Sequence, residues 1–169
     1  ATYWAQSRDR SLPRIGIVQG LGDGLGEQVR GLAERYEDLI IDAGGRDSVE
    51  MRSALVVAEK VVAPVRPSQF DTWSLSRFDE LVKMAKGLNP SLEVLGVSNA
   101  ASPNPAVTEF EEGAEVMTEF SNLSLSGAII RDRIAFRKAA KAGLAVTELK
   151  PLDAKAIAEM TALYEEVCK

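Results

Sequence analysis

Short apolar runs alternate along the chain with longer stretches in which one residue in three or four is apolar, a pattern that predicts strands interleaved with helices. Arg14 to Val18 reads as a short β-branched strand, and the glycine-rich Gly20 to Gly26 that follows it reads as a loop. Val29, Leu32, Ala33 and Tyr36 then fall at i, i+3, i+4 and i+7, one face of a helix that ends near Glu37. Leu39, Ile40 and Ile41 form an unbroken apolar run closed by Asp42, Gly44 and Gly45, as expected of a central strand buried on both faces. Asp47 with Glu50 predicts a helix cap before the stripe Met51, Ala54, Leu55 and Ala58. Val61 to Val65 is the next strand, punctuated by Pro64 and Pro67. Ser68 and Asp71 resemble a second capping pair, opening a helix with Leu75, Phe78, Leu81, Val82 and Ala85 inward. Leu92 to Val97 is a strand ending in Ser98-Asn99, followed by a helix carrying Phe110, Ala114 and Met117, with Val107 a candidate fourth member of its face. Leu125 to Ile130 predicts a further strand. Helices over Asp132 to Ala142 and Asp153 to Val167 follow, the last with Ile157, Met160, Thr161 and Tyr164 on one face. Strands joined through helices of this length need crossover connections, so the expected fold is α/β, a mainly parallel sheet with helices on both faces.

Composition narrows the chemistry. A chain of 169 residues, 46% hydrophobic, fits one domain with a single core. No apolar run approaches the roughly 18 residues of a membrane span, and no basic start precedes a short apolar stretch. A soluble, cytoplasmic protein without a membrane partner is expected. The single cysteine, Cys168, allows no internal disulfide or cysteine metal cluster. Histidine is absent, which removes the commonest general base and most zinc sites, and leaves carboxylates, lysines, backbone amides or a hard metal ion. The net charge of -5 argues against a surface coated for nucleic acid, although a whole-chain sum hides local patches.

Ligands of open parallel sheets bind at the carboxyl ends of the strands. Those ends present Asp42-Ala-Gly-Gly45, Pro64-Val-Arg-Pro67, Ser98-Asn99 and Arg131-Asp-Arg133. An acid after a hydrophobic strand suits magnesium, because hard cations prefer oxygen ligands. The same pattern equally fits an aspartate that merely caps a strand end.

Tyr36 to Gly45 (YEDLIIDAGG) followed by Ala63 to Asp71 (APVRPSQFD) resembles the ParA/MinD superfamily of deviant P-loop ATPases, particularly small plasmid-type partition proteins. Gly96 to Asn99 is similar to that family's strand ending in an adenine-contacting asparagine, and Ala135 to Leu149 to its C-terminal signature. The resemblance implies a P-loop NTPase-like fold and the cofactors ATP and Mg²⁺. It makes Asp42 the catalytic acid that holds the metal's water shell, Gly44 and Gly45 a switch sensing the γ-phosphate, Pro64 and Pro67 part of a ridge near nucleotide and dimer interface, and Asn99 the adenine reader. It further implies a homodimer switched by nucleotide, nonspecific DNA binding on the nucleoid, and a centromere-binding partner protein that stimulates hydrolysis, hence a role in plasmid or chromosome partitioning.

The chain departs from the family in one respect. Gly20 to Gly26 is the only glycine cluster, it has no lysine and no following Ser or Thr, and Asp23 and Glu27 would repel a triphosphate. Ala1-Thr-Tyr-Trp4 resembles a stretch well inside the family's domain, so the expectation is of an N-terminally truncated ParA-like domain over residues 1–169 that does not hydrolyse ATP without the missing phosphate loop; either an upstream segment supplies that loop's strand, or another strand, such as Arg14 to Val18, takes its place in the sheet. A catalytically inactive ParA-like binding module is the alternative. Finally, Arg131, Arg133, Arg137, Lys138 and Lys141 form a basic cluster, with Arg133, Arg137 and Lys141 at i, i+4 and i+8. Such a row can track phosphates without reading bases, or be an ordinary solvated helix face.

Overall fold

Strands β1 (Lys60–Val65), β2 (Glu93–Ala101) and β3 (Ser124–Arg131) make a parallel sheet in the order β1-β2-β3. The structure is a computed structural model and describes residues 1–20, 22, 24–44, 46–67, 72–104 and 109–168. Gly45, Asp23, Ser68, Asp71 and Val107, and the side chain of Phe110, lie outside that description. The described residues also form helices α1 (Thr2–Ser7), α2 (Leu25–Ala33), α3 (Val49–Val57), α4 (Thr72–Leu88), α5 (Glu109–Thr118), α6 (Ile134–Lys141) and α7 (Ala154–Cys168). Among them no helix is long and apolar enough to cross a membrane.

The strand order follows from connectivity. β1–α4–β2 and β2–α5–β3 are successive crossovers, and two of the same hand between neighbouring strands lay both helices on one face. Alternation along β2 agrees with this: Val94 joins Val82 and Ala85 of α4 in one buried cluster, and two residues on, Gly96 faces Met117 of α5. A Cβ at Gly96 would stand 1.8 Å from the Met117 methyl, so glycine there lets α5 come close. The opposite face carries α7, whose Glu166 reaches Ser126 and the amides of Gly127 and Ala128 on β3. β2, with neighbours on both edges, is the most continuously buried strand. β1 is an edge strand, which tolerates Pro64 because proline cannot donate to a further ladder.

Two cores hold the layers. Leu55 of α3 packs with Val82, Ala85, Leu92 and Val94, flanked by Val61, Phe78 and Leu81. Each such fully buried aliphatic contributes about 1.5–3 kcal/mol relative to exposure. A smaller cluster joins Ala135 of α6, Val146 of the connection and Ala156 of α7, with Phe136, Leu149 and Ile157 against it.

The sequence expectations hold for β1, β2, β3 and, within a few residues, for α3 to α7. Others need correction. Arg14 to Val18 and Leu39 to Ile41 are not strands, and Ile40 is 96% exposed. An extended apolar segment becomes a strand only when a neighbour takes its amides and carbonyls, and among the described residues neither segment has one. The helix begun at Leu25 stops at Ala33, leaving Tyr36 half exposed. Finally, α7 is rotated from the expected face: Met160 and Tyr164 are exposed, while Ala156 is buried and Glu159 and Glu166 point inward to β3. The cap of α3 is Ser48, whose hydroxyl accepts from the Met51 amide, and Asp47 instead forms a bidentate pair with Arg52.

Candidate functional site

The carboxyl ends of the three parallel strands meet along one edge. Pro64 lies opposite Val97, Asn99 opposite Ile130, and Ala101 opposite Arg131, the last residue of β3. Pro67 is buried just beyond β1. Between Asn99 and Ala101 the register shifts, and Ala100 takes φ 54°. A residue with a Cβ in that region is strained, so the bulge that sets Asn99 is held by its surroundings rather than preferred locally. Beside it Ser98 is 1% exposed and its hydroxyl has no hydrogen-bond partner among the described residues. The parallel sheet therefore brings Pro64, Pro67, Asn99 and Arg131 to the edge where α/β folds take ligands.

Asp42 and Gly44 do not reach that edge as strand-end residues. Because Leu39 to Ile41 is unpaired, Asp42 sits in an exposed connection, its carboxylate 2.7 Å from the Ala1 ammonium. Gly44 is exposed with open space around its Cα, and Gly45 lies outside the described residues. No group of three or more His, Cys, Asp or Glu side chains converges to hold a metal ion among the described residues. The fit to Mg·ATP is thus partial. An amide side chain and an arginine stand at the sheet edge, but the described residues assemble no lysine-and-amide cradle for a triphosphate, and Asp42 stands without a second oxygen ligand beside it.

The basic cluster divides into two parts. Arg133 is the N-cap of α6, and it folds back with Arg131 onto Glu159 of α7. Arg133 donates to Glu159 Oε1 from Nε at 3.1 Å and from its terminal nitrogen at 2.7 Å, and Arg131 donates from its side chain at 3.1 Å and from its backbone amide to Oε2 at 3.1 Å. Burial pushes the Glu159 carboxyl up, but these hydrogen bonds together outweigh it and leave the group below the ordinary carboxylate range. Arg137 pairs with Asp132 at the surface. Lys138 and Lys141 are exposed with no ion pair among the described residues.

A second polar node ties the segment after α1 to the connection between α6 and α7. Arg8 forms a bidentate pair with Glu148 at 2.8 and 2.7 Å, and also donates to the carbonyls of Gly143 and Pro13. Its guanidinium lies 5.2 Å from the Trp4 ring centre, and the Trp4 indole donates to the Leu144 carbonyl. Hydrogen bonds from Arg8 and from the Ala145 amide bring Glu148 down to about 2, against the upward push of burial. Sequence reasoning missed Arg8, Glu159 and Glu166. Their acidic or basic character on amphipathic segments reads as solvation, and only the inward rotation of α7 and the docking of α1 give them partners.

No protein-family model matches the chain. A curated relative, maintenance of carboxysome distribution protein A from Halothiobacillus neapolitanus, is 25% identical over 113 residues, covering 67% of this chain and 51% of that protein. The chain thus spans about half the length of the curated relative it matches. The similarity supports a ParA-like relationship.

Proposed function

We propose that this chain is part of a ParA-like positioning ATPase that distributes a cargo along DNA. The observation that carries the reading is the meeting of Pro64, Asn99 and Arg131 on one carboxyl edge of a parallel sheet, in a chain similar to a protein named for carboxysome distribution. In this reading the Asn99 carboxamide orients an adenine, and Pro64 and Pro67 stiffen the approach to it and to a second copy in a homodimer. Asp42 holds the water shell of Mg²⁺ in the complete site, with Gly44 and Gly45 sensing the terminal phosphate; the metal and ATP supply charge neutralisation and the switch between conformations. The exposed cations of α6, Arg137, Lys138 and Lys141, face DNA phosphates without reading bases, and a DNA-bound adaptor is the partner that stimulates turnover. Plasmid or chromosome partitioning and organelle-like cargo are both served by this chemistry.

A catalytically silent binding module is the second reading, favoured by the exposed position of Asp42, paired with the Ala1 ammonium away from the sheet edge. Fluorescence anisotropy on two unrelated duplexes over a salt series, with and without ATP and Mg²⁺, separates the two. The ATPase reading expects nucleotide to strengthen binding, and Lys138→Ala with Lys141→Ala to weaken both duplexes alike and flatten the salt dependence by about two counterion units. Binding indifferent to nucleotide but sensitive to the two lysines supports the module. Indifference to the lysines removes α6 from any DNA face.

A further inference from the structure

Arg131 and Arg133 stand next to the exposed cations of α6, yet both donate to Glu159 of α7. We infer that Glu159 is an internal competitor for the phosphate groups the α6 face would take, holding Arg131 and Arg133 in reserve so that the resting face is Arg137, Lys138 and Lys141. The inference rests on the DNA-binding reading above and adds a means of regulating it.

Carboxylate and phosphate both offer paired anionic oxygens, and both take paired, charge-assisted hydrogen bonds from guanidinium. Glu159 accepts three side-chain donors and one backbone donor from the two arginines, and its side chain is 10% exposed. The Arg133 side chain is 17% exposed and that of Arg131 37%. A DNA phosphate that takes the donors now given to Glu159 must displace a carboxylate that is held in place and largely desolvated. Location makes the reserve useful: Arg131 ends β3 at the ligand edge and Arg133 opens α6, so their release would extend the α6 cations toward that edge.

α7 is also built to survive the exchange. Glu166, two turns after Glu159, separately fastens the helix to β3 through the Ser126 hydroxyl at 2.6 Å and the amides of Gly127 and Ala128. Lys60 of β1 donates to the carbonyls of Glu166 and Val167. Ala156 and Ile157 stay in the apolar cluster with α6. Losing the Glu159 contact therefore frees two cations without undocking the helix.

The test is anisotropy on two unrelated duplexes over a salt series with four proteins: wild type, Glu159→Gln, Arg131→Ala with Arg133→Ala, and all three changes together. Glu159→Gln should tighten binding at low salt and steepen the log affinity against log salt slope by about two counterion units. The pair of alanines should remove that gain in the Gln background and much less from wild type. Equal effects of the alanines in both backgrounds, or an unchanged slope in Glu159→Gln, would overturn the inference while leaving wild-type DNA binding intact. Binding by Glu159→Gln alone supports the reserve and overturns the resting face, and binding by none of the four overturns both. If Glu159→Gln does not fold, as read by far-ultraviolet circular dichroism, Glu159→Asp replaces it: a shortened carboxylate should give part of the steepening, and none overturns the inference.

Discussion

Leu39-Ile40-Ile41 and Val61-Val62-Ala63 are nearly interchangeable as sequence, and the molecule treats them oppositely. The second run is in β1, hydrogen-bonded along β2 and backed by the Leu55 and Val82 cluster, whereas the first lies in an exposed connection with Ile40 almost fully in solvent. The same contrast separates Leu55, Val82 and Val94, which brace one another in the core, from Ile15, Ile17, Val18, Tyr36 and Ile40, which are exposed. An apolar pattern states what a neighbour would bury. Stability depends on whether that neighbour is there.

The largest effect that tests this contrast is a pair of truncations. Leu55→Ala, at a site 4% exposed between α3, α4 and the sheet, should lower unfolding free energy by about 2–5 kcal/mol in urea titration. Ile40→Ala should change it by no more than about 0.5 kcal/mol. A cost above about 1 kcal/mol for Ile40→Ala would mean that the run finds a partner in solution, and the comparison between the two regions would break.

Glycines sharpen the same point. Gly143 has φ 67°, and a Cβ there would stand 2.5 Å from the Arg8 amide nitrogen and 2.6 Å from the Ser7 carbonyl carbon, backbone atoms that cannot swing aside. Gly143→Ala should cost about 2–4 kcal/mol, from left-handed strain plus displacement of α1. Gly44→Ala, with nothing within 4 Å, should fall within about 0.5 kcal/mol. Thermal melts of the two variants check this, and equal melting temperatures would show that α1 does not dock as described.

The Arg8–Glu148 pair yields a pH dependence. Its folded value, about 2, lies below the ordinary glutamate value of about 4.3, so the folded state binds its proton more weakly than the unfolded chain. The stabilisation is then complete above about pH 4.3 and is lost as pH falls toward 2. The melting-temperature gap between wild type and Glu148→Gln should be constant from pH 5 to 8 and shrink below pH 4. A gap that widens on acidification contradicts the assignment.

How much of this was legible in the sequence follows from the same principle. β1, β2 and β3 and the buried stripes of α3 and α4 were legible, because Leu55, Leu75, Val82 and Ala85 sit at helical spacing and all are buried. Pro64, Asn99 and Arg131 could be placed on one edge because parallel crossovers leave few alternatives. The state of Leu39 to Ile41 was not legible, since a strand pattern carries no record of its neighbour. Nor was the role of Glu159, because a carboxylate on an amphipathic helix looks like solvent-facing charge until Arg131 and Arg133 are folded against it.

The smallest effect compares two buried serines on neighbouring strands. Ser126 donates to the Glu166 carboxylate at 2.6 Å and accepts from the Ala128 amide at 3.0 Å, whereas Ser98 is as deeply buried with its hydroxyl unpartnered among the described residues. Removing a bonded hydroxyl strands its partners, so Ser126→Ala should cost about 1–2 kcal/mol. Removing an unbonded one relieves a desolvated dipole and leaves only a small void, so Ser98→Ala should lie within about 0.5 kcal/mol of wild type or slightly above it. Urea titrations of both variants decide the matter. Should Ser98→Ala cost more than about 1 kcal/mol, its hydroxyl has a partner in solution, such as an ordered water at the Asn99 edge. If instead stability is kept or gained while nucleotide-dependent DNA binding falls, Ser98 is a group whose partner arrives with the ligand.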